Sequence, residues 1–164
     1  MTSTANPFGK ILLYIDGSES SITAALFAIA LTKTHGSLLK VIYVVNDNLL
    51  TELLGAKVFV QMEKMDYERD LEEDGKRKLN YVVKLAEKKG VKVEVVLRKG
   101  IVHEEVAREV VACYCDLLIQ GELGEVLSLR DSFYEEGERI LRKVSCPVLV
   151  VRNKHKVDKL YESI

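Results

Sequence analysis

The chain has 164 residues, 24 Lys and Arg against 25 Asp and Glu, and 48% hydrophobic content. That length suits one domain with one sizeable core, which needs no disulfide framework or metal to hold it. A net charge of −1 excludes a bulk polyelectrolyte partner such as nucleic acid, and 30% charged against 48% apolar residues excludes a disordered chain.

In chain order, residues 1–9 read as an N-terminal extension. They show no basic stretch followed by an apolar one, so no secretory leader is expected. Ile11–Ile15 is a first strand, apolar on both faces as buried parallel strands are. Ser18–His35 is a first helix with Ser18 as N-cap, Gly36 as its stop, and Ile22, Leu26, Ile29 and Lys33 on one stripe. His35 stands where it can bond the last carbonyls. Leu38–Val45 is a second strand; its uncharged run is far short of the roughly 20 apolar residues a membrane span needs.

Asn46 to Val60 is a long connection. Its apolar residues, from Leu49 through Leu50, Leu53, Leu54 and Val58 to Val60, pack on the sheet or present a flap to a protein partner. A second helix follows over Gln61–Lys89, anchored by Met62, Met65, Leu79, Val82, Val83 and Ala86, with Asp66–Lys78 as a solvated charged face. Val91–Leu97 is a third strand. The third helix, Ile101–Tyr114, places Val102, Val106 and Val110 on one face. Asp116–Gln120 is a fourth strand, Tyr134–Val144 a fourth helix with Ile140, Leu141 and Val144 inward, and Pro147–Arg152 a fifth strand. Beyond it, residues 153–164 form a basic tail containing His155, read as a solvated end. Strands alternating with helices predict an α/β domain over 10–152, a five-stranded, doubly wound parallel sheet with helices on both faces.

In such a sheet ligands bind beyond the carboxyl ends of the strands, where strand order reverses. Two loops lie there: Asp16-Gly17-Ser18-Glu19, and Gly121-Glu122-Leu123-Gly124. Asp16 suits a ligand amine or ribose hydroxyl, Gly17 a tight turn, and Ser18 or Ser20 a helix cap; a plain turn and N-cap accounts for the same residues. His103, at a helix start, stands near the cleft mouth with no Ser or Cys nucleophile close in sequence. No nucleophile–base pair or metal-ligand cluster is visible, so no catalytic or metal residues are assigned.

Cys113, Cys115 and Cys146 are an odd count without a framework, which predicts a reducing, cytoplasmic setting. Cys113-x-Cys115 lacks the second pair of a zinc site. Cys115 and Cys146 precede the fourth and fifth strands, and neighbouring strands lie about 4.8 Å apart, inside the roughly 4.4–6.8 Å Cα separation of a disulfide. A Cys115–Cys146 redox link and ordinary buried thiols are the two readings. Val148, Leu149, Val150 and Val151 carry no charge; at a sheet edge they would offer an unprotected pairing surface.

Ile11-Leu12-Leu13-Tyr14-Ile15-Asp16-Gly17-Ser18, Gly100-Ile101-Val102-His103-Glu104-Glu105, Asp116-Leu117-Leu118-Ile119-Gln120-Gly121 and Cys146-Pro147-Val148-Leu149-Val150-Val151, in that order, resemble the universal stress proteins over about Lys10 to Arg152. The resemblance implies an adenine-nucleotide-hydrolase-like, Rossmann-like sandwich, a regulatory or binding role in stress response, and a homodimer through the last strand. Family members that bind ATP carry Gly, two residues, Gly, nine residues, then Gly followed by Ser or Thr. Here Gly121 and Gly124 match, but the third position is Tyr134 and the fourth Glu135. Gly137 would need an insertion and reads as a helix residue. From Gly121 to Glu138 there are six acids and one base, Arg130. A side chain at Tyr134 obstructs backbone approach, and Glu135 puts charge where a phosphate belongs. The resemblance therefore implies a module without tight ATP binding. The alternatives are an ATP/Mg-binding, weakly hydrolysing member that uses Asp16, Gly17, Ser18, Val44, Gly121 and Gly124, and an enzyme on a related α/β fold.

Overall fold

The computed structural model describes residues 5–46, 61–124 and 135–164. Five parallel strands, β1 (Lys10–Tyr14), β2 (Leu38–Asn46), β3 (Val93–Gly100), β4 (Leu117–Gly121) and β5 (Val148–Val151), lie in the order β3-β2-β1-β4-β5. The chain starts at the centre, winds outward through β2 and β3, then returns to β4 and β5 on the other side of β1. Register is direct, with Leu12 opposite Lys40 on one side and Leu118 on the other. The expected doubly wound α/β sheet is present.

Alternation along β1 assigns the two cores. Ile11, Leu13 and Ile15 face α1 (Glu19–His35), α2 (Gln61–Glu87) and α5 (Lys154–Ser163). Leu12 and Tyr14 face the other way, toward α3 (Val102–Ala112) and α4 (Glu136–Lys143). Val102, Val106 and Val110 form the buried face of α3 as their spacing predicts.

Three expectations about packing change. Helix α1 is capped by Ser18 and stopped by left-handed Gly36 at φ 65°, as read, and His35 Nδ1 lies 3.1 Å from the Leu31 carbonyl. Its buried face, however, is Ala24, Ala25, Ala28 and Ile29, while Ile22 and Leu26 are half-buried and Lys33 is exposed. Small side chains let this helix lie close on the sheet. Met65 is 70% exposed and anchors nothing, whereas Leu79, Val82 and Ala86 are buried. The last residues are no solvated tail: they form α5, which packs on α1. Asn153, left-handed at φ 67°, caps it by accepting the Lys156 N–H at 3.1 Å. Val157 is buried, and Tyr161 and Ile164 pack against the same core.

The cysteines also depart from expectation. The disulfide joins Cys113 to Cys115, with Cα atoms 5.4 Å apart, and Cys146 is free, so the Cys115–Cys146 link is not formed. Between them Tyr114 takes a left-handed φ of 51°, which turns the chain back on itself at the end of α3. The apolar segment Leu49–Val60 lies outside the described residues. Among the described residues strand β5 pairs only with β4 and forms one sheet edge, with Val148, Leu149 and Val150 half-buried.

Candidate functional site

Strand order reverses at β1, whose neighbours β2 and β4 lead to opposite halves of the sheet. At that point the carboxyl ends of the strands open into a cleft of about 300 Å³. Asp16, Ser18, Val44 and Gly121 all line it; Gly17 and Gly124 do not. Leu71, from the charged stretch of α2, closes part of one wall, with Tyr14 and Tyr43 nearby.

The first loop is tied by its own side chains. Asp16 Oδ1 accepts the Ser18 N–H at 2.8 Å, and Ser18 Oγ accepts the Ser21 N–H at 3.2 Å. Gly17, at φ 86°, sits in the left-handed region under the Lys78 side chain, where a Cβ would collide. Gly121 has a packing reason of its own: a Cβ there would stand 2.5 Å from the Ser20 carbonyl oxygen. Its small size lets the end of β4 touch the start of α1. Two of the glycine positions are thus accounted for by the fold itself.

The second loop is acidic, and its carboxylates have visible partners. Glu122 accepts two bonds from Arg152, from Nε at 3.0 Å and Nη2 at 2.7 Å. Glu136, in the first turn of α4, accepts the His103 N–H at 3.1 Å, meets His103 Nδ1 at 2.8 Å and pairs with Arg139 at 3.2 Å. His103 therefore clamps α3 to α4 and is not among the cleft-lining residues. Glu135 is the N-terminal cap residue of α4, and its Oε1 accepts the Gly124 N–H at 3.4 Å. A carboxylate oxygen at the start of α4 thus occupies this backbone donor. Gly137 lies within α4, as read. Tyr134 lies outside the described residues.

Four acids line the cleft: Asp16, Glu122, Glu135 and Glu136; no Lys or Arg is among the described lining residues. The Tyr14 hydroxyl is pushed far above the usual phenol range, first by burial and then by the nearby Asp16 and Glu136 charges.

Gln120 is the residue that pattern reading overlooked. It lines the cleft, is 1% exposed, and its Nε2 donates to the Gly137 carbonyl at 3.1 Å. That bond fixes the amide's orientation and leaves Oε1 buried without a hydrogen-bond donor. The only sequence signal for it is a polar residue at the end of an apolar strand. Among the described residues, no three His, Cys, Asp or Glu side chains are grouped as a metal site, and no helix is long and apolar enough to cross a membrane.

Comparison with known proteins agrees with this fold. Residues 7–152 match the model of the universal stress protein family. The universal stress protein MJ0531 of Methanocaldococcus jannaschii is 29% identical over 151 residues, which covers 92% of this chain and 86% of that protein. The solved structure of MJ0577, from the same organism, is similar with a TM-score of 0.72 at 23% identity, covering 90% of this chain and 98% of that one. A universal stress protein from Archaeoglobus fulgidus in complex with dAMP has a TM-score of 0.57 at 13% identity, covering 90% and 100%. At these identities the structures speak for the fold.

Proposed function

The chain belongs to the universal stress protein family, and we propose that it serves as a regulatory or binding module of the stress response that does not hold ATP tightly. The observation that carries this is the Glu135 carboxylate on the Gly124 N–H. A phosphate competing for that donor must displace a carboxylate and then sit beside it. With Asp16, Glu122 and Glu136 around the same cleft, three or more phosphate charges meet repulsion where a phosphate site supplies donors and cations. Denatured protein should release no adenine nucleotide, and Mg-ATP titrated into native protein should bind weakly. Nucleotide recovered at near one per chain would overturn this reading.

One observation favours a nucleotide reading as the second choice. Asp16 and Val44 line the same cleft, which supports contacts to a ribose and a base there, and a relative of the same fold is known in complex with dAMP. The same titration, run with AMP beside Mg-ATP, separates the two: AMP binding with weak ATP binding retains the base and ribose contacts and rejects only the polyphosphate.

A homodimer through β5 completes the proposal. Its free edge has unpaired backbone groups and half-buried valine and leucine side chains, and joining two such edges about a two-fold axis covers both. Light scattering at micromolar concentration should give twice the chain mass; a monomer rejects the dimer.

A further inference from the structure

We propose that the cleft binds an aliphatic polyamine, a flexible chain carrying two or more ammonium groups; this rests on the proposed function's reading of the cleft as the ligand site. Two independent observations support it. Asp16 and Glu135 both line the cleft, and neither has an ion-pair partner among the described residues, whereas Glu122 and Glu136 are engaged by Arg152 and Arg139. Deeper in, Gln120 Oε1 is a buried acceptor with no donor. Buried acceptors are almost always satisfied, and of the three buried polar atoms without a partner among the described residues, Thr32 Oγ1, Ser37 Oγ and Gln120 Oε1, only the last belongs to a residue that lines the cleft.

Carboxylates and a carbonyl oxygen are acceptors only, and an ammonium group brings three donors and no acceptor. The match is therefore to N–H-bearing cations. A single metal ion suits the site less well, because among the described residues no three of the carboxylates are grouped closely enough to share one. A chain with ammonium groups at intervals bridges separated acceptors: one end reaches Gln120, and the other stays at the rim with Asp16 and Glu135. A volume of about 300 Å³ is at the small end of ligand pockets, and Tyr14 and Leu71 supply apolar walls for the methylenes.

The test is calorimetric titration of the full chain with spermidine at 0.15 M salt, where exposed charges are screened beyond about 8 Å. One saturable site is expected. The uncharged control 1,8-octanediol should give no binding at matched concentration. Asp16→Asn with Glu135→Gln keeps the side-chain shapes and should weaken spermidine at least tenfold; Gln120→Met, which removes the orphan acceptor, should weaken it about fivefold. Thermal melts confirm that each variant is folded, and if Gln120→Met is not, the carboxylate pair alone decides. No saturable binding, equal binding of the diol, or binding unchanged in the carboxylate pair overturns the inference. Nucleotide recovered at near one per chain overturns the proposed function instead, so the two failures are distinguishable.

Discussion

Glu109 of α3 lies 3% exposed beneath the sheet with its Oε1 accepting from Lys40 Nζ of β2 at 2.8 Å. Its other oxygen accepts from Arg98 of β3 at 2.9 Å. Burial alone would raise this carboxyl, but the Lys40 and Arg98 contacts outweigh it and hold its pKa below the ordinary 4.5. Glu109→Gln should therefore destabilise the fold by about 1.5 kcal/mol, the low end for a hydrogen bond to a charged group, because Arg98 is half-exposed and screened. A depressed native pKa means the contribution is complete above about pH 4.5 and lost as pH falls through the native value. Urea unfolding should show the gap between wild type and Glu109→Gln at pH 7 and its closure in acid. A gap independent of pH would assign the cost to packing.

The C-terminal helix is held by a bond of similar economy. Tyr161 Oη donates to the Leu85 carbonyl at 2.6 Å, and Lys89 lies over the Tyr161 ring at 4.6 Å while bonding the Ile164 carbonyl. Tyr161→Phe should cost about 1 kcal/mol, read as a fall in Tm of about 2–4 °C. Removing residues 154–164 also uncovers the site of Val157 and should cost more than the point change. Equal stability of the shortened chain would show that α5 docks without contributing.

Cys113 and Cys115 form their disulfide across one residue, and Cys146 stays free, its thiol pushed up by burial. A raised thiol is a poor thiolate at neutral pH and reacts slowly. Peptide mapping of oxidised protein without reductant should place the Cys113–Cys115 link within one peptide, and iodoacetamide should label Cys146 only slowly before unfolding. A peptide joining Cys115 to Cys146 would refute the pairing.

The alternation of strands and helices was readable because short runs such as Ile11–Ile15, apolar on both faces as buried parallel strands are, alternate with longer stretches of helical period. The order of the strands in the sheet was not read from the sequence. Nor was the face of α1. Alanines weigh little in a search for apolar stripes, yet Ala24, Ala25 and Ala28 are what the sheet accepts. Helix α5 had a signal in Val157, Leu160, Tyr161 and Ile164, spaced three and four apart, but lysines between them gave the segment the look of a tail. Asp16, Ser18 and Gly121 followed from the strand ends and Val44 from the family resemblance, and all four line the cleft. Gln120 was missed because its role depends on the Gly137 carbonyl across the sheet–helix interface, and no local pattern encodes that contact.

The acidic loop gives the last prediction. If Glu135 keeps polyphosphate out by occupying the Gly124 N–H and charging the site, removing it and restoring the family's Gly–Ser pair should admit ATP. Tyr134→Gly with Glu135→Ser supplies a glycine for close backbone approach and a hydroxyl donor, and frees the Gly124 donor. Each charge-assisted bond regained, or like charge removed, is worth on the order of 1.4 kcal/mol, which is tenfold in affinity. Mg-ATP should therefore bind the double variant at least tenfold tighter than wild type, while AMP, which needs less of the loop, should change less. The single variant Glu135→Gln separates charge from shape: it keeps a side-chain oxygen to accept from Gly124 but removes the repulsion. A gain in Glu135→Gln close to that of the double variant assigns the barrier to charge; a gain in the double variant alone assigns it to the occupied donor and the Tyr134 side chain. No gain in either would show that Glu135 is not what excludes the nucleotide.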